Sequence, residues 1–318
     1  MCANHREKSI DSISGRRDER QERLKAIAEE TLAAIDQGSY HLNDTVYDLN
    51  ADVISSKKGT QYYAPDSLLY AWKSMASTPQ SSAAVEISLL EISTLEGARL
   101  LSTFSDPPPR VGVLNFASAT SPGGGFKNGA QAQEESIARS STLYLTLVTP
   151  LSQTFYALHL RDGRDGYYSH AMLYSPGVIV FRDDAGGWVE PYRMDVLTSC
   201  AVNAGVVRRE SQGDDDGSVT ETKIARIMRE RMARILFLFE RQGIKNVVLG
   251  SFGTGVFKND VSLVANVWAD LLLQDGGRFK GSFERVVFAI LGRSTFEEFE
   301  RVFAERESLS SAAGKSEN

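Results

Sequence analysis

The chain is poor in cysteine and histidine, carries no excess of positive charge and has no long apolar run. Its two cysteines, Cys2 and Cys200, fall in a polar N-terminal stretch and in an apolar run. No disulfide framework is implied, and a reducing compartment is the default. Four histidines, His5, His41, His159 and His170, show no metal-ligand spacing, so neither a metal nor another cofactor is called for. No apolar run approaches the length of a membrane span, and the N-terminus lacks the apolar centre of a secretion signal. The sequence therefore predicts an intracellular protein, nuclear or cytoplasmic, with no membrane partner. Its net charge of −6 speaks against a surface for duplex DNA, which needs a basic face. An acidic protein can still hold a phosphorylated ligand, because backbone N–H groups at a helix start supply the positive end. Composition, 42% hydrophobic and 24% charged, is that of a folded globular chain, for which a monomer is expected.

Along the chain, residues 1–16 are polar. From Arg17 to Gln37, Leu24, Ile27, Thr31, Leu32 and Ile35 recur at helical spacing, and Gly38 is a natural stop. Residues 39–82 carry few periodic cues, and Ser77 to Ser82 reads as a loop. Residues 1–83 are thus expected to be a partly helical N-terminal extension. Strand 84–90 then opens a different pattern. A helix at 94–101, capped by Ser93 or Thr94 with Glu96 in its first turn, is followed by a proline break at 107–109. Strand 111–117 and a helix from 133 to about 145 come next. Strand-like runs lie within 171–182 and 188–202, with a turn at 183–187 between them. After an acidic loop at 213–217 come helix 218–241, strand 246–249, helix 261–273, strand 285–291 and helix 295–303. Residues 304–318 read as a polar tail. The alternation across 84–303 predicts one α/β domain with helices on both faces of the sheet.

Two of these strands end in glycine-rich turns, Ser121-Pro122-Gly123-Gly124-Gly125 and Gly250-Ser251-Phe252-Gly253-Thr254-Gly255-Val256-Phe257. Either is readable as a tight turn and no more. Both also sit where α/β proteins bind ligands, at the carboxyl ends of strands, and exposed N–H groups there make an anion nest. Neither is a P-loop, since no Gly-Lys-Ser or Gly-Lys-Thr follows, and Gly253-Thr254-Gly255 lacks the third glycine of a dinucleotide fingerprint. Seven residues separate Gly125 from Gln133-Glu134-Glu135. Paired acids suit the first turn of a helix through its dipole. Placed after a glycine loop, they also suit a ligand site, where a partly desolvated carboxyl beside a bound anion can serve as a general acid on a glycosidic oxygen.

The triple glycine followed by Gln133-Glu134-Glu135 resembles the signature of the poly(ADP-ribose) glycohydrolases. The stretch Asn115-Phe116-Ala117-Ser118-Ala119-Thr120-Ser121-Pro122-Gly123 looks like their bacterial-type branch, which also occurs in fungi. The loop Gly253-Thr254-Gly255-Val256-Phe257 is similar to the family's diphosphate loop. The resemblance spans roughly 84–303 and implies a macrodomain, a mixed sheet sandwiched by helices. It implies that Glu135 is the catalytic acid and that Glu134 helps hold the ribose. Gly123, Gly124 and Gly125 would stand at the catalytic end with Asn115 and Gln133. Ser251, Gly253, Thr254, Gly255 and Val256 would line the diphosphate, and Phe257 the terminal ribose. The implied ligands are poly(ADP-ribose) or ADP-ribose, and ADP-ribosylated proteins. One departure stands out. Many macrodomains carry Asn-Ala-Ala-Asn where this chain has Asn115-Phe116-Ala117-Ser118, which leaves open what orients the ribose.

For the adenine, Phe296 is a candidate wall and Glu91 a candidate acceptor, although a core ring and a solvated acid are the plainer readings. Arg161 and Arg164, and the run Asp214-Asp215-Asp216, read as solvated loops. Two other functions compete with a glycohydrolase: a non-catalytic ADP-ribose-binding macrodomain and a mono-ADP-ribosyl hydrolase.

Overall fold

The computed structural model describes residues 3–75, 85–162, 165–211, 217–274 and 277–313. The expected loop at 77–82, the expected strand start at 84, Arg164, the acidic run 214–216 and the last residues of the expected tail lie outside these. In chain order the elements are α1 (Ala3–Gln37), β1 (Ser39–Leu42), β2 (Thr45–Asp48), α2 (Asn50–Gly59), β3 (Gln61–Tyr63), β4 (Glu86–Leu90), α3 (Thr94–Ser102) and β5 (Val111–Phe116). There follow α4 (Gln133–Ser140), α5 (Leu143–Leu147), α6 (Pro150–Asp162), β6 (Met172–Arg182), β7 (Trp188–Ser199) and α7 (Ala204–Glu210). The chain continues with α8 (Gly217–Arg241), β8 (Asn246–Leu249), α9 (Val261–Leu273), β9 (Arg285–Ala289) and α10 (Arg293–Ala313).

Seven strands form one sheet in the order β3-β6-β7-β5-β8-β9-β4. From β7 to β4 all neighbours are parallel, while β6 runs antiparallel to both β7 and β3. Side chains of a strand alternate between faces, and a sheet covered on both sides buries both sets. Val247 and Leu249 of β8 pack with Val286 and Phe288 of β9 against α8, α9 and α10. Val248 and Val287, between them in sequence, pack on the other face with Leu95, Ile137, Leu143 and Phe155 of α3 to α6. This is the mixed sheet between helices that the sequence predicts.

The local signals for α3 hold closely. Ser93 accepts from the Glu96 N–H and the Glu96 carboxylate accepts from the Ser93 N–H, a capping box that satisfies two otherwise free donors. The expected helix from 133 to 145 is instead two. Ser141 is extended and bridges Val180, its hydroxyl donates to the Ile137 carbonyl, and the Thr142 hydroxyl accepts from the Ile179 N–H. Hydroxyls that bond the backbone interrupt the helix there. Two expectations about the ends are also corrected. β3, inside the segment read as an extension, pairs with β6 and is the edge strand of the main sheet. α10 starts at Arg293 and continues past 303 to Ala313, so residues 304–313 are helical.

Candidate active site

The two glycine turns leave adjacent, parallel strands, β5 and β8, at their carboxyl ends. Their first aromatics, Phe116 and Phe252, meet edge to face at 5.7 Å and fix one loop against the other. Beneath the first loop lies Phe126, buried against Tyr144, Ala138 of α4 and Ala28 of α1. The Gln21 amide of α1 donates to the Asn128 carbonyl, 2.8 Å away. The N-terminal helix therefore supports the loop that presents the glutamates.

Glu134 and Glu135, in the first turn of α4, have different environments. Glu134 is 2% exposed. One of its oxygens accepts from the Ser118 N–H at 2.6 Å and the other from the Asn115 amide at 3.2 Å. Burial pushes its carboxyl up to about 8, against those hydrogen bonds, and the neighbouring Glu135 charge adds to the rise. Glu135 is half-buried and accepts from the Gly125 N–H at 2.9 Å. Gly124, at φ +59°, makes this possible: a Cβ there would lie 2.3 Å from Glu135 Oε1. The result is one buried, neutral-leaning carboxyl, Glu134, and one accessible carboxyl, Glu135, side by side at a strand end.

The second loop is held from below. The Trp268 indole donates to the Gly250 carbonyl at 3.0 Å, and the Asn259 amide donates to the Gly253 and Val202 carbonyls. Gly253, at φ +76°, passes so close to Ala201 that a Cβ would lie 2.3 Å from it. Gly255 and Val256 are exposed, with Val256 at 78%, and a Cβ on Gly255 would meet nothing. Ser251 and Thr254 are half-buried in a turn in which the Thr254 N–H and hydroxyl both donate to the Ser251 carbonyl. Phe257 is half-buried against Tyr168, with ring centroids 5.9 Å apart.

Four residues expected at the ligand have protein partners in this structure. Gln133 is engaged by the protein: its amide donates to the Leu114 carbonyl and the Thr94 hydroxyl and accepts from the Phe116 N–H. It ties the start of α4 to the end of β5 and has no donor left for substrate. Asn115 is fully buried behind Glu134, its amide shared between Glu134 and the Thr198 hydroxyl. Phe296 is part of the core under α10, with Arg293 over its ring. Glu91 ends β4 beside Arg293, 3.5 Å away, at the far side of β8 and β9 from the glutamates.

The serine in place of an asparagine has a simple role. Ser118 holds Glu134 through its backbone N–H, which any residue offers, while its hydroxyl accepts from the Thr120 and Ser121 N–H groups and turns the loop. Sequence reasoning missed Arg231, although a cation among Met228, Met232 and Ile235 on an apolar helix face was a visible signal. Arg231 is fully buried and donates to the carbonyls of Cys200, Tyr167 and Tyr168, which places Tyr168 against Phe257. Nearby His159 is pushed down to about 4 and Cys200 up to about 11, both by burial first, so this buried pair is neutral. Among the described residues no group of three or more His, Cys, Asp or Glu side chains is arranged to hold a metal ion, and no helix is long and apolar enough to cross a membrane.

A family model described as the catalytic domain of microbial-type poly(ADP-ribose) glycohydrolase (PARG) matches residues 28–183. No curated protein matches the chain. Among solved structures, the chain is similar to the poly(ADP-ribose) glycohydrolase of Thermomonospora curvata, at 40% identity and a TM-score of 0.79, over 90% of this chain and 99% of that one. The same enzyme bound to the inhibitor ADP-HPD is similar at 39% identity and a TM-score of 0.76, over 90% and 99% of the two chains. The glycohydrolase of Deinococcus radiodurans, in complex with ADP-ribose, is similar at 30% identity and a TM-score of 0.69, over 84% and 99%. With this identity spread over nearly the full length of both chains, the protein belongs to the microbial-type poly(ADP-ribose) glycohydrolases.

Proposed function

We propose that the protein hydrolyses the ribose–ribose O-glycosidic bonds of poly(ADP-ribose) and releases ADP-ribose, with Glu135 as general acid and base. The observation that carries the assignment of roles is the contrast between the two glutamates. Glu135 is accessible and hung on the Gly125 N–H, whereas Glu134 is enclosed. Poly(ADP-ribose) carried on proteins is the substrate form this reading entails.

The diphosphate of the terminal unit lies along the exposed backbone of Gly253 to Val256, where N–H groups offset its charge. Phe257 closes on the terminal ribose, and Glu134, enclosed beside Glu135, helps hold that ribose in place. Glu91 stands at the adenine end. Glu135 enters the reaction as the general acid. Its proton passes to the leaving 2′-oxygen of the adjoining unit as the bond from the anomeric carbon to that oxygen breaks. The electron pair of the bond leaves with the oxygen, and positive charge develops at the anomeric carbon. Water then attacks that carbon and gives a proton to the Glu135 carboxylate, which restores the acid. Contacts remote from the reacting carbon hold the sugar in place.

A protein that only reads ADP-ribose has no use for a free carboxylate at this point, and the paired glutamates also disfavour a hydrolase confined to single ADP-ribose groups. Incubation with poly(ADP-ribose) and, separately, with mono-ADP-ribosylated protein tests this. ADP-ribose released from the polymer is the expected result. Release from mono-ADP-ribosylated protein alone, or from neither, contradicts it.

A further inference from the structure

Away from the glycine loops, a cavity of about 440 Å³ opens between α8 and Trp72 and Lys73, which follow the short helical turn Leu68–Ala71. That volume is in the range of small-molecule pockets. Its wall includes Trp72, Lys73, His170, Arg226, Arg229 and Glu230. The single acid is already committed, since Glu230 accepts from Arg234 at 2.8 Å and from the Trp72 indole at 3.0 Å. Lys73 and Arg226 are exposed, Lys73 lies over the Trp72 ring at 5.1 Å, and neither has an acidic partner among the described residues. Arg229 shares the Asp270 carboxylate with Arg306. His170 Nδ1 is buried and without a hydrogen-bond partner among the described residues, and the ring is pushed down to about 3 by burial and by Arg231 and Arg234. In a chain of net charge −6, this is a local excess of cations around a hollow.

Topology sets this hollow at the working end of the sheet. His170 precedes β6, whose first residues pair with the last of β7 (Leu173 with Thr198), so it stands at the carboxyl ends of β7 and its parallel neighbour β5. Arg226 and Arg229 lie within two turns of Arg231, which donates to the Cys200 carbonyl at that same end. Tyr168, which packs on Phe257, is two residues from His170, a Cα span of at most about 7 Å.

We propose that this cavity is a second binding site for poly(ADP-ribose), taking the pyrophosphate of a unit beyond the one held at the glycine loops. The inference rests on the hydrolase reading above. Each further unit brings a pyrophosphate anion, and a second point of attachment raises the effective concentration of the chain end at Glu135 without touching the chemistry. The closeness to the catalytic loop through Tyr168 favours the substrate over a nucleic acid as occupant.

The test compares the parent with the Lys73→Glu, Arg226→Glu double variant on long poly(ADP-ribose) and on the ADP-ribose dimer. Both changes lie on exposed side chains, and an unchanged Tm confirms folding. The expected result is a KM for the long polymer raised roughly tenfold, with a shallower dependence on salt, because phosphate contacts are lost. The kcat and the KM for the dimer stay as in the parent. An unchanged KM for long chains, or an equal rise for the dimer, overturns the proposal. So does an RNA of equal phosphate content that displaces long polymer from the parent but not from the variant. If the parent releases no ADP-ribose from either substrate, the hydrolase reading fails. Direct binding of long polymer to the two proteins then still decides the cavity, with weaker binding by the variant supporting it and equal binding overturning it.

Discussion

At the scale of single residues, the site depends on two adjacent glutamates whose surroundings differ. Glu134 carries a stability consequence. Its folded-state pKa, about 8 against 4.5 for the free side chain, means that the folded protein favours the neutral form. The associated stability is fully present below about pH 4.5 and is lost as pH rises towards 8. Glu134→Gln cannot ionise, so the fall in Tm between pH 5 and pH 8 is expected to be smaller in this variant than in the parent. Melting curves at the two pH values check this, and parallel falls contradict it. Phe257 makes a different prediction. It is half-buried, packed on Tyr168 and against the margins of the two cores at the end of the second loop. Phe257→Ala is therefore expected to lower kcat by about tenfold or more, since misplacement by an ångström is costly to rate, while the Kd for ADP-ribose changes little. Equal losses in binding and turnover would show that the ring only supports the loop.

At the scale of elements, the glycine loop after β5 and the start of α4 act as one device. Gly124 is left-handed and lies under Glu135 Oε1, so Gly124→Ala introduces both strain and a steric clash. The expected outcome is a stability loss of about 1–2 kcal/mol together with a loss of hydrolysis of about a hundredfold or more, the scale of general acid–base help. Denaturant unfolding and initial rates measure the two effects, and near-normal turnover would show that Glu135 does not need its position on the Gly125 N–H. The loop and the helix start were legible because glycines, acids and a strand end occur in order. Where α4 stops was not legible, because Ser141 and Thr142 look compatible with a helix until the β6 backbone arrives to bond with them. That Gln133 ties α4 to β5 was hidden for a related reason. An amide beside two acids carries no mark of whether its partners are substrate or the end of β5. Arg231 stands out in sequence as a cation on an apolar helix face, but what it holds does not, because its partners are backbone carbonyls.

At the scale of the whole molecule, the alternation of strands and helices from 84 onwards announced a layered α/β sheet, and the five parallel strands from β7 to β4 bear this out. The N-terminal region was harder to read. β3 has three residues, too few for a period to show, and its place at the sheet edge follows from a tertiary pairing with β6. α1 was legible as a helix from Leu24 and Ile35, but its support of the loop through Gln21 and Ala28 was not. These supports converge on one accessible carboxyl, and the central claim is that Glu135 performs the acid–base chemistry. The direct measurement pairs poly(ADP-ribose) hydrolysis with ADP-ribose calorimetry on Glu135→Gln, which keeps the size of the side chain and removes its proton. The account predicts a folded variant that binds ADP-ribose one to one, within about tenfold of the parent Kd, or roughly 1.4 kcal/mol. Hydrolysis is predicted to fall by about 10²–10⁴. Hydrolysis at a near-normal rate by a folded Glu135→Gln would contradict it.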